Sequence, residues 1–258
     1  MKATVLAGTT VVVLFCVGTA SAAFFENFES YANTAEMLAP GAWGDDASTN
    51  APATLSNGLG NPGHSMWHPA GKTAKHIIDP MYPSDDAPIV WEGDIWDDGA
   101  GNKRATMGLR NNGGGLALTA LLEMGRYNSV RNPETGAYVS GYGIRTVFID
   151  GDPADWVTFV ENPGVHSGWS HLRATIRATS IVFEIDLGAD GVYDAQRLVT
   201  TEDTSNIGYN VLRLGGPSDL ASIGGGLAFD NVSIAYAVPE PTTLTLLGLG
   251  SLFLRRRK

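Results

Sequence analysis

Alternation with a period of two dominates the second half of the chain. Over residues 169–179, Leu172, Ala174 and Ile176 fall on one face, and His171, Arg173, Thr175 and Arg177 on the other. Ile181, Phe183, Ile185 and Leu187 then alternate with Val182, Glu184 and Asp186. One apolar and one polar face is the pattern of an antiparallel strand over a core. Asp190-Gly191 suits the positive φ of a hairpin turn, and 192–199 reads as the return strand. Further strands are predicted at 24–28, 75–78, 89–96, 106–110, 143–149, 156–160, 211–214 and 228–236. The run 116–124 fits a strand or a helix, because short apolar runs do not separate the two. Residues 31–74 are rich in Gly, Pro, Asn and Ser and read as long loops with short strands. No internal repeat appears at a fixed period, against solenoids and propellers. A dozen short strands with little helix predict an all-β fold, a sandwich or barrel.

The two ends break this pattern. Lys2 precedes an apolar stretch at 5–17, and Ala20-Ser21-Ala22 is a small-residue cleavage site, so 1–22 reads as a signal peptide for a signal peptidase. At the other end, Val238-Pro239-Glu240-Pro241 precedes an apolar run from Leu244 to Leu254 and the cations Arg255, Arg256, Arg257 and Lys258. No polar face interrupts the run, so it reads as a short membrane helix with its cations held in the cytoplasm. The run is shorter than the ~20 residues of an ordinary span. Motif, helix and basic tail in this order resemble the PEP-CTERM sorting signal of Gram-negative bacteria. The resemblance implies a partner, an exosortase-type membrane protease. It also implies a route: export across the inner membrane, transient anchoring, then the cell surface or the extracellular space. The expected division is 1–22, a central domain at 23–237, and the sorting signal at 238–258.

Composition narrows the central domain. Without Lys2 and the four terminal cations, 12 of 17 Lys and Arg remain; without Glu240, 26 of 27 Asp and Glu remain. The domain thus carries −14 against −10 for the whole chain. That balance disfavours nucleic acid as a partner, since binding it needs a basic footprint. The single cysteine, Cys16, leaves with the signal peptide, so disulfides cannot staple the domain.

A second resemblance rests on short motifs. Gly168-Trp169-Ser170-His171-Leu172-Arg173-Ala174-Thr175, followed by Ile181 to Asp186, resembles a strand pair of concanavalin A-like lectin and glucanase jelly rolls. The opening Phe25-Glu26-Asn27-Phe28-Glu29 and closing Phe229-Asp230-Asn231-Val232-Ser233-Ile234 are similar to the terminal strands of those domains. The implied fold is an antiparallel β-sandwich of that type over most of 23–237. Laminarinase-type glycoside hydrolases of this class carry two glutamates flanking an aspartate on one strand. Glu92 and Asp94 match the first two places, and Asp97 stands at the third with a shorter side chain. An acidic turn at 97–102 accounts for the same residues without chemistry. Retaining hydrolysis needs two carboxyls about 5–5.5 Å apart.

The five histidines lack zinc-ligand spacing, no thiol remains, and no nucleophile elbow occurs. Calcium fits better, because carboxylates suit a hard cation. The jelly-roll resemblance suggests that Glu29 and Asp230, near the two ends of the domain, share one structural ion. Trp43 and Trp67, in the loop-rich region, are the candidates for an exposed sugar platform. Three readings follow. The first is an exported, non-catalytic surface or matrix protein with weak binding of extracellular polysaccharide. The others are a laminarinase-type hydrolase using Glu92 and Asp94, and a structural matrix protein without a ligand.

Overall fold

A computed structural model describes residues 23–44, 53–69, 73–112, 120–149, 155–160, 162–216 and 225–237. The expected signal peptide and the sorting helix with Pro239, Glu240, Pro241, Arg255, Arg256 and Arg257 lie outside these residues. No helix among the described residues is long and apolar enough to cross a membrane. The described residues belong to one compact unit, Ser21–Ala237.

The described part of the chain opens with β1 (Phe24–Glu26) and a single turn of helix, α1 (Thr34–Met37), whose N-cap Asn33 accepts from the Glu36 N–H. Then come β2 (Thr54–Ser56), β3 (Ser65–His68), β4 (Thr73–Met81), β5 (Ile89–Asp97) and β6 (Ala105–Arg110). The long hairpin β7 (Leu121–Arg131) and β8 (Tyr138–Val147) and the short β9 (Val157–Thr158) follow. The last five are β10 (Gly168–Ile176), β11 (Ser180–Leu187), β12 (Ala195–Thr200), β13 (Tyr209–Gly215) and β14 (Leu227–Tyr236).

These strands build two sheets, an all-β sandwich as the alternation predicts. The first has eight strands, in the order β12-β11-β10-β5-β14-β3-β2, with β1 also paired to β14. The second has six, in the order β4-β13-β6-β7-β8-β9. Among the described residues the named strands pair antiparallel except at the parallel contact of Arg131 with Val157, and an isolated parallel bridge joins Gly44 to Lys75. The first and last strands of the domain pair directly, Phe24 opposite Ile234 and Glu26 opposite Val232.

The core lies between the sheets. Trp91, Ile95, Leu172, Phe183, Phe229 and Ile234 face Met107, Leu109, Leu122, Met124, Ile144 and Leu212, all buried. Burying one such side chain stabilises the fold by about 1.5–3 kcal/mol relative to exposure. Gly93 leaves room for the Met107 side chain of the facing sheet: a Cβ there would stand 2.7 Å from Met107 Cε.

Several boundaries differ from the sequence reading. The return strand begins at Ala195, because the link after β11 is a long turn and not a tight hairpin. The Asp186 carboxylate accepts the N–H groups of Asp190 and Gly191, at 3.1 and 2.7 Å, and braces that turn. The apolar run at 116–124 is strand from Leu121 onward, and its first residues lie outside the described ones.

Candidate functional site

Register turns three of the strands into one chemical surface. β5 pairs with β10 so that Trp96 faces Trp169, Asp94 faces His171, and Glu92 faces Arg173. Across the other edge of β5, Ala228 faces Trp96, Asp230 faces Asp94, and Ser233 faces Glu92. β3 extends the first of these rows, since Trp67 faces Ala228. The alternate residues Trp91, Gly93, Ile95, Leu172 and Ala174 are buried, so all the members named above lie on the outer face of the eight-stranded sheet.

The first row is aromatic. Trp67, Trp96 and Trp169 are each half-buried, with the small Ala228 between the first two. The rings of Trp67 and Trp96 lie 6.3 Å apart and 56° from parallel.

The second row is polar and tightly wired. His171 Nδ1 donates to Asp94 Oδ1 at 2.7 Å. Its Nε2 lies 3.5 Å from Glu92 Oε2. Burial pulls the imidazole down, but its hydrogen bonds to Asp94 and Glu92, with their charges, outweigh that and lift its pKa to about 9. The ring is therefore an imidazolium at neutral pH, donating from both nitrogens. The same contact with His171 holds Glu92 below the usual glutamate range. Asp94 Oδ2 accepts from Asn61 Nδ2 at 3.0 Å and from Asn231 Nδ2 at 2.8 Å.

Asn231 reaches Asp94 through a bulge in β14. The register with β5 shifts between Asp230 and Ser233, and Asn231 takes a φ of 48°. Asparagine tolerates this left-handed conformation better than most residues. A bulge of this kind re-aims side chains and is common beside functional sites.

A cleft of about 310 Å³ opens beside this row, lined by Asn61, Asp94, His171, Asp186 and Tyr193 among others. That size suits a small ligand.

Two sequence expectations change here. Asp97 does not join Glu92 and Asp94, because three positions from Asp94 along an unbroken strand lead to the opposite face. Asp97 is fully buried inside the sandwich. Lys103 Nζ holds its Oδ1 at 2.7 Å, and Arg126 Nε holds its Oδ2 at 2.7 Å. Its role is to keep two cations inside the fold, not to donate protons to a substrate. Trp43 is also fully buried: its ring packs between Phe24, Phe28 and His76. An indole with no free face cannot stack on a sugar. Of the expected pair only Trp67 stays accessible. Its partners Trp96 and Trp169 were missed, because their alignment depends on strand register.

Glu29 stands near enough to Asp230 for its charge to act on it. Burial raises Asp230; backbone N–H groups lower it; the charges of Asp94 and Glu29 raise it again, to about 6 in all. Its oxygens accept from Asn61 N at 2.6 Å and Asn231 N at 2.7 Å, and Glu29 Oε1 accepts from His64 N at 2.6 Å. Among the described residues no group of three or more His, Cys, Asp or Glu is arranged to hold a metal. As a calcium set the pair fits in part. The crowded carboxylates would gain from a cation, but each already accepts a backbone N–H. Calcium takes six to eight oxygens, so carbonyls and water would supply most of them.

Residues 237–258 match the family model of the PEP-CTERM protein-sorting motif. Such a motif marks a chain for export and sorting. No curated protein matches the chain. Among solved structures, the chain is similar to a carbohydrate esterase from the Shiga toxin-encoding bacteriophage phi24B, at 8% identity and TM-score 0.49, over 85% of this chain and 100% of that one. It is also similar to the GH131 β-glucanase catalytic domain of Podospora anserina, at 13% identity and TM-score 0.46, over 85% and 97%. A third is lectin II from Ulex europaeus, at 10% identity and TM-score 0.41, over 73% and 91%. At such identities no ligand follows from them.

Proposed function

We propose that the chain is an exported cell-surface or extracellular-matrix protein whose sandwich holds a polysaccharide, without catalysis, on the outer face of its eight-stranded sheet. The observation that carries this reading is the half-exposed row Trp67, Trp96 and Trp169 beside the ordered row of Asn61, Asp94 and His171. Indole faces stack on the C–H faces of sugar rings, and fixed donors and acceptors beside them orient hydroxyls. The PEP-CTERM motif supports the surface location and processing by an exosortase-type protease.

The wiring favours binding over hydrolysis. Asp94 accepts three donors, and Glu92 is ionised beside the imidazolium. Glu92 therefore holds no proton for a leaving group at neutral pH, and Asp97 lies on the other face. The test is retardation in gels cast with single polysaccharides. Retardation of the wild type, weakened in Trp96→Ala, supports the reading. No retardation by any polysaccharide supports a structural matrix protein instead.

A glycoside hydrolase is the second reading, favoured by the shared face of Glu92 and Asp94. Release of reducing sugar from β-glucans by the wild type, abolished in Glu92→Gln, would establish it and sink the non-catalytic reading. A structural calcium at Glu29 and Asp230 belongs to the proposal as a brace between the first and last strands.

A further inference from the structure

A second cavity lies on the same outer face, toward the edge strand β12. It measures about 630 Å³ and is lined by Val160, Val182, Tyr193, Asp194, Gln196 and Leu198 among others. Val182 and Leu198 are direct partners across β11 and β12, and Gln196 faces Glu184 two positions along. The Val160 N–H donates to Gln196 O at 3.0 Å, so the segment after β9 forms the outer wall.

Tyr193 lines both this cavity and the cleft at His171. It is set in place from below. Arg173 Nη1 donates to the Tyr193 hydroxyl at 3.3 Å, and the guanidinium stands 5.9 Å from the ring centre. On its other side the His171 ring is 6.5 Å away. With 37% of its surface exposed, the tyrosine keeps ring area free for a ligand.

The two cavities are therefore neighbouring compartments of one surface that share the Tyr193 side chain. Together with the tryptophan row they run across β3, β14, β5, β10, β11 and β12. Five inter-strand steps of about 4.8 Å make roughly 24 Å. One sugar ring cannot cover that distance. The second compartment also has the mixed chemistry a sugar chain needs: aliphatic floor from Val182 and Leu198, aliphatic wall from Val160, and hydrogen-bonding rim from Asp194 and Gln196.

We infer that the ligand of this face is an internal stretch of a linear polysaccharide lying across the strands, with Tyr193 stacking between its two halves, and not a terminal sugar. The inference rests on the glycan reading above. It adds that affinity comes from chain length, that Tyr193 stands between the two compartments and that Leu198 marks the far end of the site.

The experiment has two arms. The polysaccharide that retards the wild type most strongly in the gel assay is partly hydrolysed, and its mono-, di-, tri- and hexasaccharides are used as competitors. The hexasaccharide is expected to compete at least tenfold better than the disaccharide, which is ~1.4 kcal/mol. In Leu198→Glu that advantage is lost while competition by the trisaccharide is unchanged, and in Tyr193→Ala the advantage is lost as well. Leu198 is 63% exposed, so its replacement leaves the core intact, and an unchanged melting midpoint checks this. If polymer retards the wild type but the monosaccharide competes as well as the hexasaccharide, the inference falls and the glycan reading stands. The same holds if both variants keep the length advantage. If no polysaccharide retards the wild type, both fall.

Discussion

Replacing His171 by glutamine removes the cation that Glu92 and Asp94 share. The wild-type imidazole titrates at about 9 in the folded protein, against an ordinary histidine value of 6.5. At ~1.36 kcal/mol per pKa unit, that difference is about 3 kcal/mol of native-state stabilisation. The folded-state pKa is raised, so the folded chain binds the proton more tightly than the unfolded one. The contribution is complete below pH 6.5 and is lost as pH rises through about 9. Glutamine does not titrate and brings no positive charge to the two carboxylates. Urea unfolding followed by tryptophan fluorescence, at pH about 6, about 8 and about 10, measures the difference between wild type and variant. The variant should be less stable by about 3 kcal/mol at the lowest pH, and the gap should close at the highest. For a domain of this size that is a midpoint shift of roughly 6–12 °C. Titrations common to both proteins cancel in the difference. A stability gap that stays constant with pH would refute the shared imidazolium and, with it, the ionised state assigned to Glu92.

Three further outcomes follow from other parts of the molecule. Lys103→Met leaves buried Asp97 with Arg126 as its remaining cation, and breaking a buried pair costs about 3–5 kcal/mol, read as a lower melting midpoint; an unchanged midpoint would show that Lys103 contributes nothing to the fold. Millimolar calcium should raise the midpoint over that in EDTA, and Asp230→Ala should erase the difference; equal midpoints in the wild type would leave Glu29 and Asp230 as acceptors of backbone N–H groups alone. Deleting residues 238–258 should abolish retention at the cell surface in fractionated bacteria, and an unaltered distribution would separate the motif from the location of this protein.

The sandwich was legible because alternation reports which residues face a core, and it reports this without knowledge of neighbours. Trp91, Ile95, Leu172 and Phe183 are buried as their parity requires. The candidate site was legible only in fragments. Glu92 and Asp94 share a face because they are two apart, and the same rule puts Asp97 on the other side, where Lys103 and Arg126 close over it. The resemblance to a hydrolase motif pulled Asp97 toward the wrong face. Trp43 illustrates a different limit: its flanks are polar and glycine-rich, yet the chain folds it between Phe24 and Phe28. Local composition says where loops are, not which loop residue turns inward. The row of Trp67, Trp96 and Trp169 spans residues a hundred positions apart, and the bulge at Asn231 that completes the Asp94 contacts depends on pairing with β5. Such alignments are set by long-range register, which alternation alone leaves open.

The central claim is that sugar chains bind at the tryptophan row. The most direct measurement is a titration of nitrogen-15-labelled protein with the retarding polysaccharide, following the indole N–H signals of the six tryptophans. Signals of Trp67, Trp96 and Trp169 should shift or broaden together, while those of the buried Trp43 and Trp91 stay in place. Shifts confined to Trp43, Trp91 and Trp156, or no shift at saturating polysaccharide, would contradict the account.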